Sequence, residues 1–232
     1  MVSAKNEKRS EESLPAPVIP GEKNPEGLIS SADATKGFRF ECKVNQAYEG
    51  DVLGILLDNG QLPILQELIK DDIGPEGRLF EFTFPVSLAS EGTHNLRQQL
   101  NREQPSPEKR FIIDYTPPYS HERPPEPSPP TDLPGGKVTS VYLEDKGGVL
   151  FSFEDPKGWA PGDTMRLYWN RSPGGDFSLE PVPLKEFGNT YFLPATTIRS
   201  AGAGGVYLNY QLEDLAGNLS PRSLPLPLKI DI

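Results

Sequence analysis

The stretch Val206-Tyr207-Leu208-Asn209-Tyr210-Gln211-Leu212 decides the fold, because its apolar side chains recur at every second residue. Successive side chains of a β-strand point to opposite faces, so this pattern predicts a strand with one buried face. The stretch Thr164-Met165-Arg166-Leu167-Tyr168-Trp169 alternates in the same way and places Trp169 on its inward face. We therefore expect two half-buried antiparallel strands, with Trp169 packed between two sheets.

Other short strands lie between turn signals in the second half of the chain. The further strands predicted there are Gly148–Phe153, Thr190–Leu193 and Leu226–Ile232. The turn signals that separate the strands are Pro161-Gly162-Asp163, Ser172-Pro173-Gly174-Gly175-Asp176 and Ala216-Gly217-Asn218. Many short strands with Gly/Pro turns over about 100 residues predict an antiparallel sandwich. Pro225 and Pro227 favour an edge position for the last strand, where a missing N–H is tolerated.

The first half of the chain repeats this plan. Its predicted strands are Phe38–Val44, Val52–Leu57, Phe80–Phe84, Gly92–Leu100 and Arg110–Asp114. Asp51, which opens one strand, lies 34 residues before Pro85. Asp163, which opens its counterpart, lies 31 residues before Pro194. The shared order and spacing predict two copies of one module. The segment 62–69 is expected to be a loop or a strand, because it contains a proline.

Composition excludes several classes of structure and function. The 26 Pro and 22 Gly among 232 residues exclude long helices and coiled coils. The net charge of −10, without a basic cluster, disfavours nucleic-acid binding. No apolar run approaches the ~18–20 residues of a membrane span, and the N-terminus carries no signal-peptide core. Membrane insertion is therefore not expected.

Two segments stand apart in composition. Residues 1–26 are charged and proline-containing, which predicts a disordered arm that ends in the extended stretch Leu14–Pro20. Residues 117–132 hold seven Pro in sixteen residues, which favours a semi-rigid extended spacer of up to roughly 50 Å. A ligand for a proline-binding domain is the alternative interpretation of the second segment.

The run from Gly205 to Ser220 resembles the end of bacterial immunoglobulin-like repeats. In those repeats a strand of the form Y-x-x-x-D leads into A-G-N-x-S, and the residues here at the matching positions are Tyr210, Asp214, Ala216, Gly217, Asn218 and Ser220. The segment from Gly162 to Trp169 is similar to another part of the same tandem repeats, which occur in surface and exported proteins of Gram-negative bacteria. The resemblance covers most of residues 133–232 and is weaker for 27–116.

The resemblance implies an all-β chain of two immunoglobulin-like antiparallel β-sandwiches. The organisation predicted is a disordered arm at 1–26, a divergent sandwich at 27–116, a Pro-rich linker at 117–132 and a second sandwich at 133–232. The function that it implies is that of a spacer, stalk or adhesive module.

Groups suited to catalysis or metal binding are few. Of the two His, His121 lies in the proline-rich segment, and His94 is interpreted as a surface or rim residue. Asp214 and Asn218 could supply oxygen ligands to Ca²⁺, but the sequence around them also suits a turn. Cys42 is interpreted as a small buried hydrophobe. We therefore expect no catalytic residues, no cofactor and no enzyme activity.

Exposed aromatic rings are the remaining candidates for a binding site, because rings stack on sugar faces. Trp159 lies in a predicted loop, and Tyr142 and Tyr207 are also candidates. A lid over one end of the sandwich is the alternative interpretation of Trp159.

The function expected from these observations is that of a non-catalytic structural or adhesive module in a bacterial exported or surface assembly. Its partner would be a protein or a cell-surface glycan. The alternatives are a glycan-binding module centred on Trp159 and an intracellular adaptor that docks through residues 1–26 or 117–132. The oligomeric state stays open, as does the location, since the resemblance implies a surface and no signal peptide is visible.

Overall fold

The computed structural model describes residues 14–232, which divide into two compact units at Tyr115 and Thr116. The elements of the first unit are β1 (Leu28–Ile29), α1 (Ser31–Ala34), β2 (Arg39–Val44), β3 (Val52–Leu57), β4 (Leu65–Leu68), β5 (Arg78–Thr83), β6 (Gly92–Leu100) and β7 (Lys109–Ile113). Five strands form one sheet in the order β1-β7-β6-β3-β4, and β2 and β5 form the other. The pairing of β1 with β7 is parallel, and the other pairings are antiparallel.

The second unit has the same architecture. Its elements are β8 (Lys137–Thr139), α2 (Ser140–Lys146), β9 (Gly148–Ser152), β10 (Thr164–Asn170), β11 (Val182–Pro183), β12 (Thr190–Pro194), α3 (Ala195–Ala201), β13 (Gly204–Glu213) and β14 (Leu226–Asp231). The five-stranded sheet has the order β8-β14-β13-β10-β11, and β9 pairs with β12 in the second sheet. β8 and β14 are parallel. The chain is therefore an all-β protein of two sandwiches with the same strand order.

Each unit has its own hydrophobic core between its two sheets. Every second residue of β13 from Val206 to Leu212 is buried, as the alternation predicts. Trp169 on β10 is also buried in this core, which confirms its predicted inward position. In the first unit, residues 62–69 were predicted to form a loop or a strand, and they contain the strand β4.

The expectation of a disordered arm does not hold for residues 14–26. Val18 N–H donates to Glu41 O at 2.9 Å and Val18 O accepts from Glu41 N–H at 2.8 Å, so this segment pairs with β2. Ile19 is only 4% exposed and belongs to the first core. Gln98 Nε2 donates to Pro15 O at 2.6 Å. Residues 14–26 are thus ordered by contacts with the first unit, and the part of the predicted arm at 1–13 lies outside the described residues.

The proline-rich segment 117–132 is packed on the second sandwich and is not an extended free spacer. Tyr119 is 5% exposed and belongs to the second core. Ser128 and Ser152 exchange two backbone hydrogen bonds of 2.8 and 3.0 Å, and Leu224 N–H donates to Pro124 O. Proline lacks only the donor, so its carbonyls and the residues between the prolines still pair with a neighbouring strand.

Two further details differ from the sequence-based expectations. β14 lies between β13 and β8, not at the edge of its sheet. β14 pairs with β8 only from Lys229 onwards. Pro227 therefore lies in the part of β14 that has no partner on the β8 side. The short helices α2 and α3 were not expected. Thr139 Oγ1 accepts from Tyr142 N–H to cap α2, and Gly147 ends it at φ 71°.

Candidate functional site

The three aromatic candidates lie on three different elements of the second unit. Tyr142 lies on α2, which leads into β9, whereas Trp159 lies in the loop that follows β9. Tyr207 lies on β13, opposite Asn170 and Pro227 of the neighbouring strands.

Trp159 and Tyr142 also have structural contacts within the second unit. Trp159 is partly buried against the second core, and its Nε1 is inaccessible to solvent. Tyr142 is buried, and its hydroxyl donates to Asp132 Oδ1 at 3.0 Å. Burial, followed by this contact with a carboxylate, raises the pKa of Tyr142. These positions leave little free ring face on Trp159 or Tyr142 for stacking on a sugar.

The Asp214 oxygens, which were candidate calcium ligands, accept hydrogen bonds within a turn. Asp214 Oδ1 accepts from Asn218 N–H at 2.8 Å, and Asp214 Oδ2 accepts from the Asn218 side-chain amide at 2.9 Å. Asp214 O accepts from Gly217 N–H at 3.0 Å. Within residues 14–232, no group of three or more His, Cys, Asp or Glu side chains has metal-binding geometry. The turn interpretation accounts for these residues.

His94 is buried and not a surface or rim residue, which corrects the interpretation from sequence. It is 8% exposed, and its ring stacks on Phe111 at a centroid distance of 5.3 Å. Its Nδ1 lies 3.1 Å from Asp58 Oδ2, and its Nε2 lies 3.3 Å from Ser90 Oγ. Ser90, His94 and Asp58 therefore meet at the N-terminal end of β6.

This cluster is not arranged to activate the serine. Nε2 of His94 is closer to the Ser90 carbonyl oxygen, at 2.9 Å, than to the Ser90 hydroxyl. The nitrogen with which a general base would accept the serine proton is therefore directed at the backbone carbonyl rather than at the hydroxyl. The cluster instead fixes the loop before β6.

His121 lies in an unusual left-handed turn at the start of the second unit. Tyr119, Ser120 and His121 have φ values of 63°, 46° and 70°. This conformation costs roughly 1–2 kcal/mol per non-glycine residue, so the contacts that it permits must offset it. The Tyr119 side chain that follows from this turn belongs to the second core, and the ammonium of the exposed Lys157 side chain lies 5.7 Å from the centroid of its ring. The His121 side chain itself is exposed.

The remaining chemical candidate, Cys42, is buried on β2. Burial raises the pKa of its thiol to about 12, which leaves it almost wholly protonated and unreactive at neutral pH. This agrees with its interpretation as a small hydrophobe. In residues 14–232, no helix has the length and apolar character needed to span a membrane.

A surface that sequence reasoning missed lies on the sheet formed by β9 and β12. Leu150 and Phe192 are direct cross-strand partners and are 51% and 47% exposed. Their neighbours Val149 and Leu193 are buried, so alternation places these two side chains on the outer face. The uncharged stretch from Phe187 to Ile198 was the signal available in the sequence.

Comparison of the sequence with protein-family models and with curated proteins finds no match. The chain resembles the human OSCAR ligand-binding domain at 16% identity and a TM-score of 0.36, over 92% of this chain and 98% of that one. Fibronectin(III)-like modules of Clostridium thermocellum CbhA match at 12% identity and a TM-score of 0.40, over 93% of each chain. A structure from a 1.5-MDa bacterial ice-binding adhesin matches at 12% identity and a TM-score of 0.40, over 93% of this chain and 63% of that one.

Proposed function

We propose that this chain is a non-catalytic structural and adhesive module that bears tension in a bacterial exported or surface assembly. The observation that carries the proposal is the parallel pairing of the first and last ladder strands in each unit. β1 pairs with β7, and β8 pairs with β14. The bacterial attribution rests on the resemblance of residues 205–220 to tandem immunoglobulin-like repeats.

Parallel terminal strands determine how a unit responds to force. A pull on the chain draws β1 towards the N-terminus and β7 towards the C-terminus, so the two strands slide in opposite directions along their common axis. Their hydrogen bonds are then loaded together, whereas an antiparallel terminal pair would open one bond at a time. The pairs Leu28–Ile112 and Ile29–Ile113 take this load in the first unit. Lys229–Lys137, Ile230–Val138 and Asp231–Thr139 take it in the second.

The polar side chains that could act in catalysis are engaged in structural hydrogen bonds, which supports a non-catalytic role. The Asp214 carboxylate is used in a turn, and Nε2 of His94 is used on a carbonyl. A spacer or binding platform needs stable sandwiches and an accessible outer surface, and no activated nucleophile.

Single-molecule force extension of the full chain tests this function. Ile112 N–H donates to Gly27 O at 2.9 Å, and Ile112→Pro removes this bond between β7 and the segment that leads into β1. We expect two unfolding steps, each adding about 3.5 Å per released residue. Ile112→Pro should lower the force of one step and leave the other as an internal reference.

The matched control is Ile112→Val, which keeps the N–H and should unfold as the unaltered chain does. Circular dichroism before pulling establishes that Ile112→Pro is folded. Equal unfolding forces for Ile112→Pro and Ile112→Val would contradict a load-bearing role for the parallel pair.

A further inference from the structure

The strand β12 has one open edge. Among residues 14–232, it pairs only with β9, and no isolated bridge reaches its other side. The far edge of β9 is bridged at its last residue, because Ser152 exchanges backbone hydrogen bonds with Ser128. Within the same residues, no such bridge reaches the open edge of β12.

The register shows which backbone groups of β12 point to this edge. Ser152 uses its N–H and C=O on Ser128, so it does not bond to its partner Thr190 on β12. Hydrogen-bonded and non-hydrogen-bonded pairs alternate in an antiparallel ladder. Leu150 and Phe192 are therefore also a non-hydrogen-bonded pair, and the N–H and C=O of Thr190 and Phe192 point outward from the sheet edge.

The side chains at this edge form an ordered apolar surface. The Phe192 ring lies against Gly148, where an added Cβ would come within 2.6 Å of the ring Cζ. Leu150 lies beside it on the same face. An aromatic ring seated on a glycine is held in place before any partner binds, which reduces the entropy cost of binding.

Other edges of the two units carry charge or are very short, whereas β12 carries no charge and its one proline, Pro194, is its last residue. β5 of the first unit holds Arg78 and Glu81, and β4 holds Glu67. β11 has two residues, one of them Pro183. Charge, proline and short length all discourage edge pairing. By contrast, no charged residue occurs from Phe187 to Ile198, although 24% of the chain is charged.

We infer that β12 pairs antiparallel with β12 of a second copy of this chain, about a two-fold axis that relates the two Phe192 residues. This register exchanges two N–H···O=C bonds between the two Phe192 backbones. It also places each Thr190 opposite Pro194 of the second copy, where the Thr190 N–H can donate to the proline carbonyl but the Thr190 carbonyl meets no donor. It also aligns Leu150, Phe192 and the same two side chains of the second copy in one apolar row. The uncharged strand fits a second copy well, because identical edges bring no like charges together.

The assembly closes at two copies. Pairing gives a four-stranded sheet whose two outer strands are both β9, each bridged at Ser152 by Ser128. A two-fold contact of this kind uses the same β12 edge on both partners, so the contact is complete with two copies. One strand pair buries less than the ~1,200 Å² of a standard interface, so the dimer is weak and depends on concentration.

Sedimentation velocity of the full chain over a range of concentrations tests the dimer. We expect the weight-average mass to rise towards twice the monomer mass as concentration increases. Phe192→Lys places a charge at the dyad and should abolish the rise. The matched control is Leu79→Lys on the edge strand β5, because Leu79 is 53% exposed on the other unit and lies outside the proposed contact.

A monomer at every concentration would overturn the inference, and so would a dimer that survives Phe192→Lys or that is lost with Leu79→Lys. Circular dichroism establishes that both variants are folded. If Phe192→Lys does not fold, disulfide crosslinking of Phe192→Cys tests the same contact.

Phe192→Cys supplies that second measurement. Hydrogen-bonded antiparallel partners have Cα atoms about 5.5 Å apart, which lies within disulfide range. Diamide serves as the oxidant and takes up the two hydrogens as two thiols join. Cys42 is buried and does not compete. We expect a covalent dimer with Phe192→Cys and none with Leu79→Cys, and equal crosslinking of the two variants, or none, would overturn the inference.

Discussion

Tyr210 is the phenol whose ionisation the fold resists most strongly. Burial raises its pKa well above the ordinary value of 10, and burial also raises the pKa of Tyr119, its neighbour in the second core. Above pH 10 the unfolded chain therefore binds fewer protons at these sites than the folded chain does. The free energy of unfolding should fall as pH rises above about 10.

Absorbance at 295 nm, followed together with circular dichroism, checks this pH dependence. We expect a group of phenols to stay neutral until the circular dichroism is lost, and Tyr210→Phe should reduce that late step. Complete ionisation of all eight tyrosines with the circular dichroism intact would contradict it.

His94 shows what residue patterns do and do not reveal. The alternation of β6 places His94 on the same face as Leu96 and Leu100, so its burial could have been predicted from the strand alone. Its contact with Asp58, 36 residues earlier, depends on how β3 and β6 pair. The burial of a single position along a strand can thus be predicted from sequence, whereas the identity of its polar partner can be read only from the tertiary structure.

At the scale of elements, the turn before β10 depends on one carboxylate. Asp163 is buried, its Oδ2 accepts from Ala160 N–H at 2.9 Å, and its Oδ1 accepts from Leu215 N–H at 3.2 Å. Asp163→Ala leaves these donors without that acceptor and should lower the free energy of unfolding by about 1–3 kcal/mol. Denaturation by urea, followed by tryptophan fluorescence, reports this unit, because both Trp residues lie in it.

The matched control is Asp51→Ala at the equivalent turn of the first unit. Asp51 also accepts from the backbone N–H three residues earlier, that of Tyr48, but at an exposed site. We expect this substitution to leave the tryptophan-detected transition unchanged. An unchanged transition for Asp163→Ala as well would show that the carboxylate does not hold the turn.

The strands were predictable from sequence to different degrees. The inward residues of β10 and β13 are buried at every second position, as the apolar pattern predicts, whereas the burial of Tyr168 and Asn209 on the other face was not predictable from that pattern. α2 was missed because it is only seven residues long, although Thr139 and Gly147 are suitable capping residues. The ordering of segments 14–26 and 117–132 was missed because composition does not reveal a few buried anchors such as Ile19 and Tyr119.

At the scale of the whole molecule, each sandwich includes a proline-rich segment that precedes its first ladder strand. Val18 joins β2 in the first unit, and Ser128 joins β9 in the second. Equivalent positions are therefore used twice, in agreement with the order and spacing shared by the two halves of the sequence. We propose that the second folded unit begins near Thr116, at the boundary between the compact units, rather than at residue 133.

The most direct test compares the fragments 116–232 and 133–232 by urea denaturation, followed by the fluorescence of Trp159 and Trp169. Removal of 116–132 deletes the buried Tyr119 and the Ser128 bridge. The fragment 116–232 should unfold with the midpoint seen in the full chain, whereas 133–232 should lose about 3–5 kcal/mol, the cost of deleting a large core aromatic. Equal midpoints for the two fragments would contradict the account, because they would show that the proline-rich segment is not part of the sandwich.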